Sequence, residues 1–285
     1  MLSGETFSSI INNLCAEFFE KTMDKQTFKD ELKEVKITPT EETCLIDRYL
    51  EQLGVSKPGH CVDIAASEGV LRSNTLQLFL KNWSGLAVEC CVDSFSILAL
   101  NYRDFPQVNL ARCKVAPHNV GNLLRGNEVP KDFDFLSLDI DSYDYYILEA
   151  ILKGFRPKLI FAEINESIPP PVKFTVKWDP GFTWEQNHFF GQSLSQMVSL
   201  ANEHNYSLAE VHYNNAILIP TEICPVPNRD PSEAYMEGYV NKPDRHQKHP
   251  WNDIHEEVLS LDPQGILEYV NRIFSEYKGQ YIASL

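Results

Sequence analysis

The chain has 285 residues, 43 % hydrophobic and 23 % charged, a balance that excludes wholesale disorder and allows one large domain or two small ones. With 40 acidic against 25 basic residues the formal charge is −15, which repels a phosphate backbone or an anionic membrane surface unless basic residues concentrate in a patch. The densest basic stretch, Lys242 to Lys248, also holds Asp244, so neither nucleic acid nor membrane is an expected partner. No apolar run approaches the roughly 18 to 20 residues of a membrane-spanning helix. Met1 to Glu20 lacks the basic start and small-residue cleavage site of a leader. Seven cysteines without a CxxC pair argue for a reducing compartment, so the cytoplasm is the expected address. Adjacent Cys90 and Cys91 read as small hydrophobes at a strand end in preference to a redox pair.

In chain order, residues 1–55 read as a helical cap. Phe7, Ile10, Ile11, Leu14 and Phe18 recur at helical spacing, and a short helix is expected from about Lys25 to Lys33. A third helix is fully punctuated: Thr38 as N-cap, Pro39 at the first helical position, Glu41 completing a capping box, and Gly54 as the stop. Its apolar face is Leu45, Ile46, Tyr49, Leu50 and Leu53. From about Gly59 strands and helices alternate. The expected strands are Cys61 to Ala65, Gly85 to Glu89, Val108 to Val115, Phe133 to Asp139, Leu159 to Glu163, Ser207 to His212 and Asn215 to Pro220.

Nearly continuous apolar strands separated by helices imply a mostly parallel sheet covered on both faces. Only Tyr213 and Asn214 separate the last two strands, and a turn that short permits only an antiparallel pair. The expected fold is therefore α/β, a doubly wound, Rossmann-like, mostly parallel seven-stranded sheet with an antiparallel terminal hairpin, occupying residues 56–222. The extension, 223–285, reads as a Pro-punctuated loop to about Asn252, then a helix begun by Asp262 and Pro263 with Leu267, Val270, Ile273, Phe274 and Tyr277 on one face.

The stretch Val62-Asp63-Ile64-Ala65-Ala66-Ser67-Glu68-Gly69 runs from a strand through a small-residue turn into a helix, at the edge where open α/β sheets bind ligands. A dinucleotide fingerprint needs G-x-G-x-x-G, because a diphosphate must sit on bare backbone. Only Gly69 is present, and Asp63 suits a positive amino group better. Glu89, at the end of the second strand, is placed to accept both hydroxyls of a ribose, a feature that NAD sites share.

Val62 to Gly69, Ser73-Asn74-Thr75 and Trp83-Ser84-Gly85-Leu86-Ala87-Val88-Glu89 resemble the opening of FkbM-type S-adenosylmethionine-dependent methyltransferases. The resemblance continues through Phe133 to Asp141 and Phe190-Gly191-Gln192-Ser193-Leu194, covering roughly residues 59 to 220. Ala65 and Ser142 stand where that family usually has glycine, and Asn82-Trp83 replaces Gly-Trp. The resemblance implies that Asp63 and Gly69 line the methionine part of the cofactor, that Ser73 and Asn74 reach its carboxylate, and that Glu89 holds the ribose. Ala65, Glu68, Ala116 and Asp139 complete the expected cofactor-binding set.

Asp139 and Asp141 follow the fourth strand, and Glu163 with Asn165 follows the fifth, so neighbouring strand ends bring four oxygen-bearing side chains to one edge. Two readings stand. In one, the acids orient substrate and cofactor, with Asp139 or Asp141 as general base. In the other, Asp139, Glu163 and Asn165 chelate a hard cation, Mg²⁺ or Mn²⁺. This second pattern is similar to that of metal-dependent catechol-type O-methyltransferases. Surface pairing with Arg156 or Lys158 is the structural alternative. His188, in the loop after the fifth strand, is a further candidate base, and His212 lies at the end of the sixth. Pro169 to Trp184 fits no element and reads as a substrate wall or lid. The expected activity is methyl transfer from S-adenosylmethionine to a hydroxyl of a small molecule. An NAD-dependent oxidoreductase or a non-catalytic cofactor-binding module are the alternatives. Helices at both ends suit packing into a homo-oligomer.

Overall fold

The computed structural model describes residues 41–55, 58–248 and 256–285. The helices expected before Glu41, with the Thr38–Pro39 cap, lie outside the described residues. The third helix is seen from Glu41 as α1 (Glu41–Gln52), with Leu45, Ile46, Tyr49 and Leu50 buried as its spacing requires. Alternation then runs β1 (His60–Ile64), α2 (Leu76–Leu80), β2 (Ser84–Glu89), α3 (Val92–Asn101), β3 (Val108–Arg112), α4 (Val120–Gly126), β4 (Phe135–Leu138), α5 (Asp144–Leu152) and β5 (Leu159–Glu163). After β6 (Lys173–Val176) follow α6 (Leu194–Glu203), β7 (Tyr206–His212) and β8 (Asn215–Pro220). The described chain closes with α7 (Pro231–Tyr235), α8 (Arg245–Lys248), α9 (Pro263–Ile273) and β9 (Tyr281–Ser284).

The main sheet has seven strands in the order β3-β2-β1-β4-β5-β8-β7. The pairs from β3 to β5 are parallel; β8 is antiparallel to both β5 and β7. The α/β sheet with an antiparallel terminal hairpin is thus the observed fold. Strands β4, β5 and β8 are buried at every position, as unbroken apolar runs between two helical layers must be. Succession reverses between β1 and β4, the kind of switch point beside which open α/β sheets bind ligands. Among the described residues no helix is long and apolar enough to cross a membrane.

Two regions differ from the sequence expectation. Pro169 to Trp184 is not a featureless wall: β6 pairs antiparallel with β9 in a second, two-stranded sheet. Val172, Phe174 and Val176 from this stretch are fully buried against Ile266, Val270 and Phe274 of the α9 region. The stretch after Pro220 is also no open loop. Asp230 caps α7, accepting from the N–H groups of Ser232 and Glu233. Ala234, Tyr235 and Tyr239 insert into the core of the main sheet, and the Tyr235 hydroxyl donates to the carbonyl of Glu166 at 2.6 Å.

Candidate functional site

A cleft of about 630 Å³ opens at the carboxyl ends of β1, β2, β3 and β4. Its floor is the β1–α2 turn. The N–H groups of Ala65 and Ala66 both donate to the carbonyl of Val88, which folds the turn back over β2. That sharp reversal leaves Ala65 at φ 71° and Ser67 at φ 50°, in the left-handed region that side chains disfavour. Ala65, where the resembled family has glycine, therefore holds a conformation that glycine adopts without strain.

Glu89 closes one side. Its Oε2 accepts from the N–H of Ser67 at 3.0 Å and its Oε1 from the N–H of Cys91 at 2.6 Å, so the carboxylate is fixed with lone pairs to spare. Glu68 is likewise tied, accepting from the Ser67 hydroxyl and the Leu71 N–H. Asp63 lies below the turn and accepts from the Thr75 hydroxyl at 2.6 Å. Burial, reinforced by the charges of Asp139 and Glu89, pushes its carboxyl up to about 6. Ser73 caps α2 by accepting from the N–H of Leu76, and Asn74 donates to Ser137, leaving its Oδ1 buried without a partner. Glu89, Glu68, Asp63, Ser73 and Asn74 all line the cleft.

Gly69 and Ala116 do not. Gly69, at φ +79°, packs under the turn: a Cβ there would lie 2.5 Å from Leu98 Cδ1 and 2.8 Å from Tyr102 Cε1. Its expected place against the cofactor is corrected to a packing role. Ala116 is buried beside the cleft, its N–H held by Asn119, while Cys113, Lys114 and Val115 provide the wall.

Across the cleft, carboxylates crowd together. Ligand atoms of Asp139, Asp141 and Glu163 all lie within 4.8 Å of one another. Asp141 sits at φ 52°. Glu163 is only 8 % exposed; its Oε1 accepts from the Asn214 side chain at 2.8 Å and its Oε2 finds no donor. Burial first, then the Asp139 and Asp141 charges, drives Glu163 well above the ordinary carboxylate range. Asp141 rises to about 7 by burial and the charges of Asp139, Asp144 and Glu166. Asp139 presents much of its surface to the open cleft yet is raised as well, by loss of solvation, with Arg72 acting in the opposite direction.

Asn165 does not belong to this group, which corrects the expected ligand set. Its amide donates to the carbonyls of His188 and Phe190 at 2.8 and 3.0 Å, and its Oδ1 accepts from the N–H and hydroxyl of Ser167. The residue is wholly buried as a clasp between two loops. His188 meets Asn165 through its backbone, and its ring is not among the groups lining the cleft. His212 is also elsewhere: burial lowers it to about 4, beside Glu41 and Tyr213.

The outer wall is the loop after β6, through Phe182, Thr183 and Trp184. Lys114 holds it down, its Nζ donating to the carbonyls of Pro180 and Phe182, each at 3.0 Å. Lys114 and Arg72, both cleft-lining, are cations that sequence reasoning missed.

Buried carboxyls give the fold a pH dependence. Asp63 and Asp144 rise to about 6 through burial, Asp144 despite accepting from the N–H groups of Ile140 and Ser142. A carboxyl raised on folding binds its proton more tightly in the folded chain, so its stabilisation is full below about pH 4. It is lost as the pH rises through about 6. The protein without ligands is expected to be more stable at pH 5.5 than at pH 7.5, by on the order of 1 kcal/mol for each group, and to melt at a correspondingly higher temperature. Thermal unfolding across that range checks it; stability that rises toward pH 7.5 would contradict it.

No family model matches the chain, and no curated protein matches it. Solved structures of low identity do. The N-terminal domain of EvdMO1 with SAH bound is 11 % identical, with a TM-score of 0.43 over 70 % of this chain and 97 % of that one. The precorrin-6y C5,15-methyltransferase of Geobacter metallireducens is 14 % identical, with a TM-score of 0.37 over 61 % and 85 %. The [4+2]-cyclase SpnF is 13 % identical, with a TM-score of 0.37 over 58 % of each chain. The strand order itself defines a Rossmann-like, doubly wound sheet closed by an antiparallel hairpin.

Proposed function

We propose that the cleft binds S-adenosylmethionine and that the protein transfers its methyl group to a hydroxyl of a small-molecule acceptor. The observation that carries this reading is the pairing of a fixed ribose-type acceptor, Glu89, with a turn and facing wall built from Asp63, Asp139 and Asp141 in one cleft. Such a site favours a ligand that is cationic and bears a ribose. A diphosphate would meet the same carboxylates as repulsion, and the turn lacks the glycines for its backbone approach, which disfavours NAD.

The bound cofactor supplies an electrophilic methyl on a sulfonium. Glu89 takes the ribose, Asp63, Ser73 and Asn74 take the amino acid end, and the Trp184 loop excludes water. The carboxylates after β4, Asp139 and Asp141, face the acceptor, orienting its hydroxyl and drawing off its proton. One C–S bond breaks, one C–O bond forms, and the proton leaves the acceptor oxygen. Calorimetric titration with S-adenosylmethionine, SAH and NADH tests the assignment. Binding of the first two without NADH is the expected result; NADH binding alone would end the methyltransferase reading. Tight SAH binding with no transfer to any hydroxylated acceptor would favour a non-catalytic module.

A further inference from the structure

Resting on the reading of the cleft as the S-adenosylmethionine site, we propose that Cys90 and Cys113 form a reversible disulfide that shuts off cofactor binding. Strands β2 and β3 are paired in parallel as far as Glu89 and Arg112, and the Cys113 N–H donates to the Glu89 carbonyl at 3.0 Å. Cys90 and Cys113 are therefore the next residues to stand opposite one another, one step past the last registered pair. Neighbouring strands lie about 4.7 to 4.9 Å apart, within the roughly 4.4 to 6.8 Å that a disulfide allows between Cα atoms. Free cysteine often serves only as a small hydrophobe. Here, though, both thiols are free, Cys90 is exposed and Cys113 half-buried, and both line the same cleft. Both also act on one hydroxyl: burial first, then Cys90, Asp144 and Cys113, push Tyr143 up to about 12. The redox partner of Cys90 thus lies across the sheet and is not its neighbour in sequence.

The oxidant is a small-molecule disulfide. The thiolate of exposed Cys90 attacks one of its sulfurs, forming a mixed disulfide and releasing one small thiolate. The Cys113 thiolate then attacks the Cys90 sulfur, closing the protein S–S bond and releasing the second. Two protein thiols are oxidised, one small disulfide is reduced to two thiols, and the two protons pass to the departing thiolates. Burial raises both protein thiols, Cys90 further through Glu89, so thiolate is scarce at neutral pH and the exchange needs excess oxidant. An excess of small thiol reverses it.

The bridge reaches the ribose anchor through the backbone. Cys90 is the single residue between Glu89 and Cys91, and the bond of 2.6 Å from the Cys91 N–H to Glu89 Oε1 closes a tight loop around it. A disulfide draws its Cβ atoms to about 3.8 Å of one another. Drawing Cys90 toward Cys113 moves that loop and the Glu89 carboxylate with it.

Incubating the full chain with excess oxidised glutathione, blocking the remaining thiols and mapping peptides by mass spectrometry without reduction tests the pair. A Cys90–Cys113 cross-link is expected, lost in Cys90→Ser and Cys113→Ser and kept in Cys91→Ser. Calorimetry is expected to show SAH affinity lower by about tenfold or more in oxidised wild type and oxidised Cys91→Ser, and restored by dithiothreitol. In Cys90→Ser and Cys113→Ser the same oxidation is expected to change each variant's own affinity by less than about threefold. A Cys90–Cys91 bridge, a bridge between two chains, or glutathione left on Cys90 without a cross-link overturns the proposal. So does a complete Cys90–Cys113 cross-link that leaves SAH binding intact, or a loss of binding that a thermal melt traces to unfolding. Failure of the reduced wild type to bind SAH strikes the methyl-transfer reading, and the mass spectrum alone then decides the disulfide.

Discussion

Glu89→Ala is expected to weaken SAH binding by about a hundredfold or more. The carboxylate accepts two backbone N–H groups already, one per oxygen, and its remaining lone pairs face the cleft. Two charge-assisted bonds to ribose hydroxyls contribute roughly 1.5 to 3 kcal/mol each, enough for that factor. The substitution also frees the N–H of Ser67, which sits at φ 50° and relies on that bond. Calorimetry reads the affinity and a thermal melt shows whether the variant is folded. A folded variant that loses less than about threefold would place the ribose elsewhere.

Gly85→Ala is expected to cost about 3 kcal/mol or more, and to leave little folded protein. A Cβ at Gly85 would lie 2.2 Å from the carbonyl oxygen of Cys61 and 2.8 Å from Phe79 Cε1. Cys61 belongs to β1, paired in register with Gly85 at the centre of the sheet, so the oxygen cannot yield without parting two strands. Urea unfolding measures the loss; a midpoint equal to the wild type would refute it. This glycine belongs to the Trp83-Ser84-Gly85-Leu86 stretch that resembled a family signature. Its reason here is strand packing.

The same distinction decides what was legible in the sequence. Strands β4, β5 and β8 could be read because burial on both faces leaves no polar interruption. The hairpin followed from a two-residue connection at Tyr213 and Asn214. β6 could not be read: Lys-Phe-Thr-Val is four residues long, begins just after a proline run, and pairs with a segment far along the chain. The acids at the sheet edge were evident from strand ends alone. Which of them converge was not, since the backbone leaves β5 after Glu163 and turns Asn165 toward the carbonyls of His188 and Phe190. Asp141 takes the place in the cluster that spacing had given to Asn165. Arg72 and Lys114 are single cations in loops, and no periodicity marks a loop position.

The pairing of β6 with β9 bears on the order in which the molecule is assembled during synthesis. All seven strands of the main sheet lie at or before Pro220, so their pairing can form while later residues are still being made. The strand at Lys173–Val176 must wait for Tyr281–Ser284, and Lys177 Nζ finds the Gly279 carbonyl only 102 positions on. Contacts this distant in sequence form late, because a long intervening chain must first be brought to order. The loop that carries Phe182 and Trp184 springs from that late strand. A nascent chain would thus hold the floor of its cleft before it holds the wall, and a ribosome paused before Tyr281 would display an open, unfinished site.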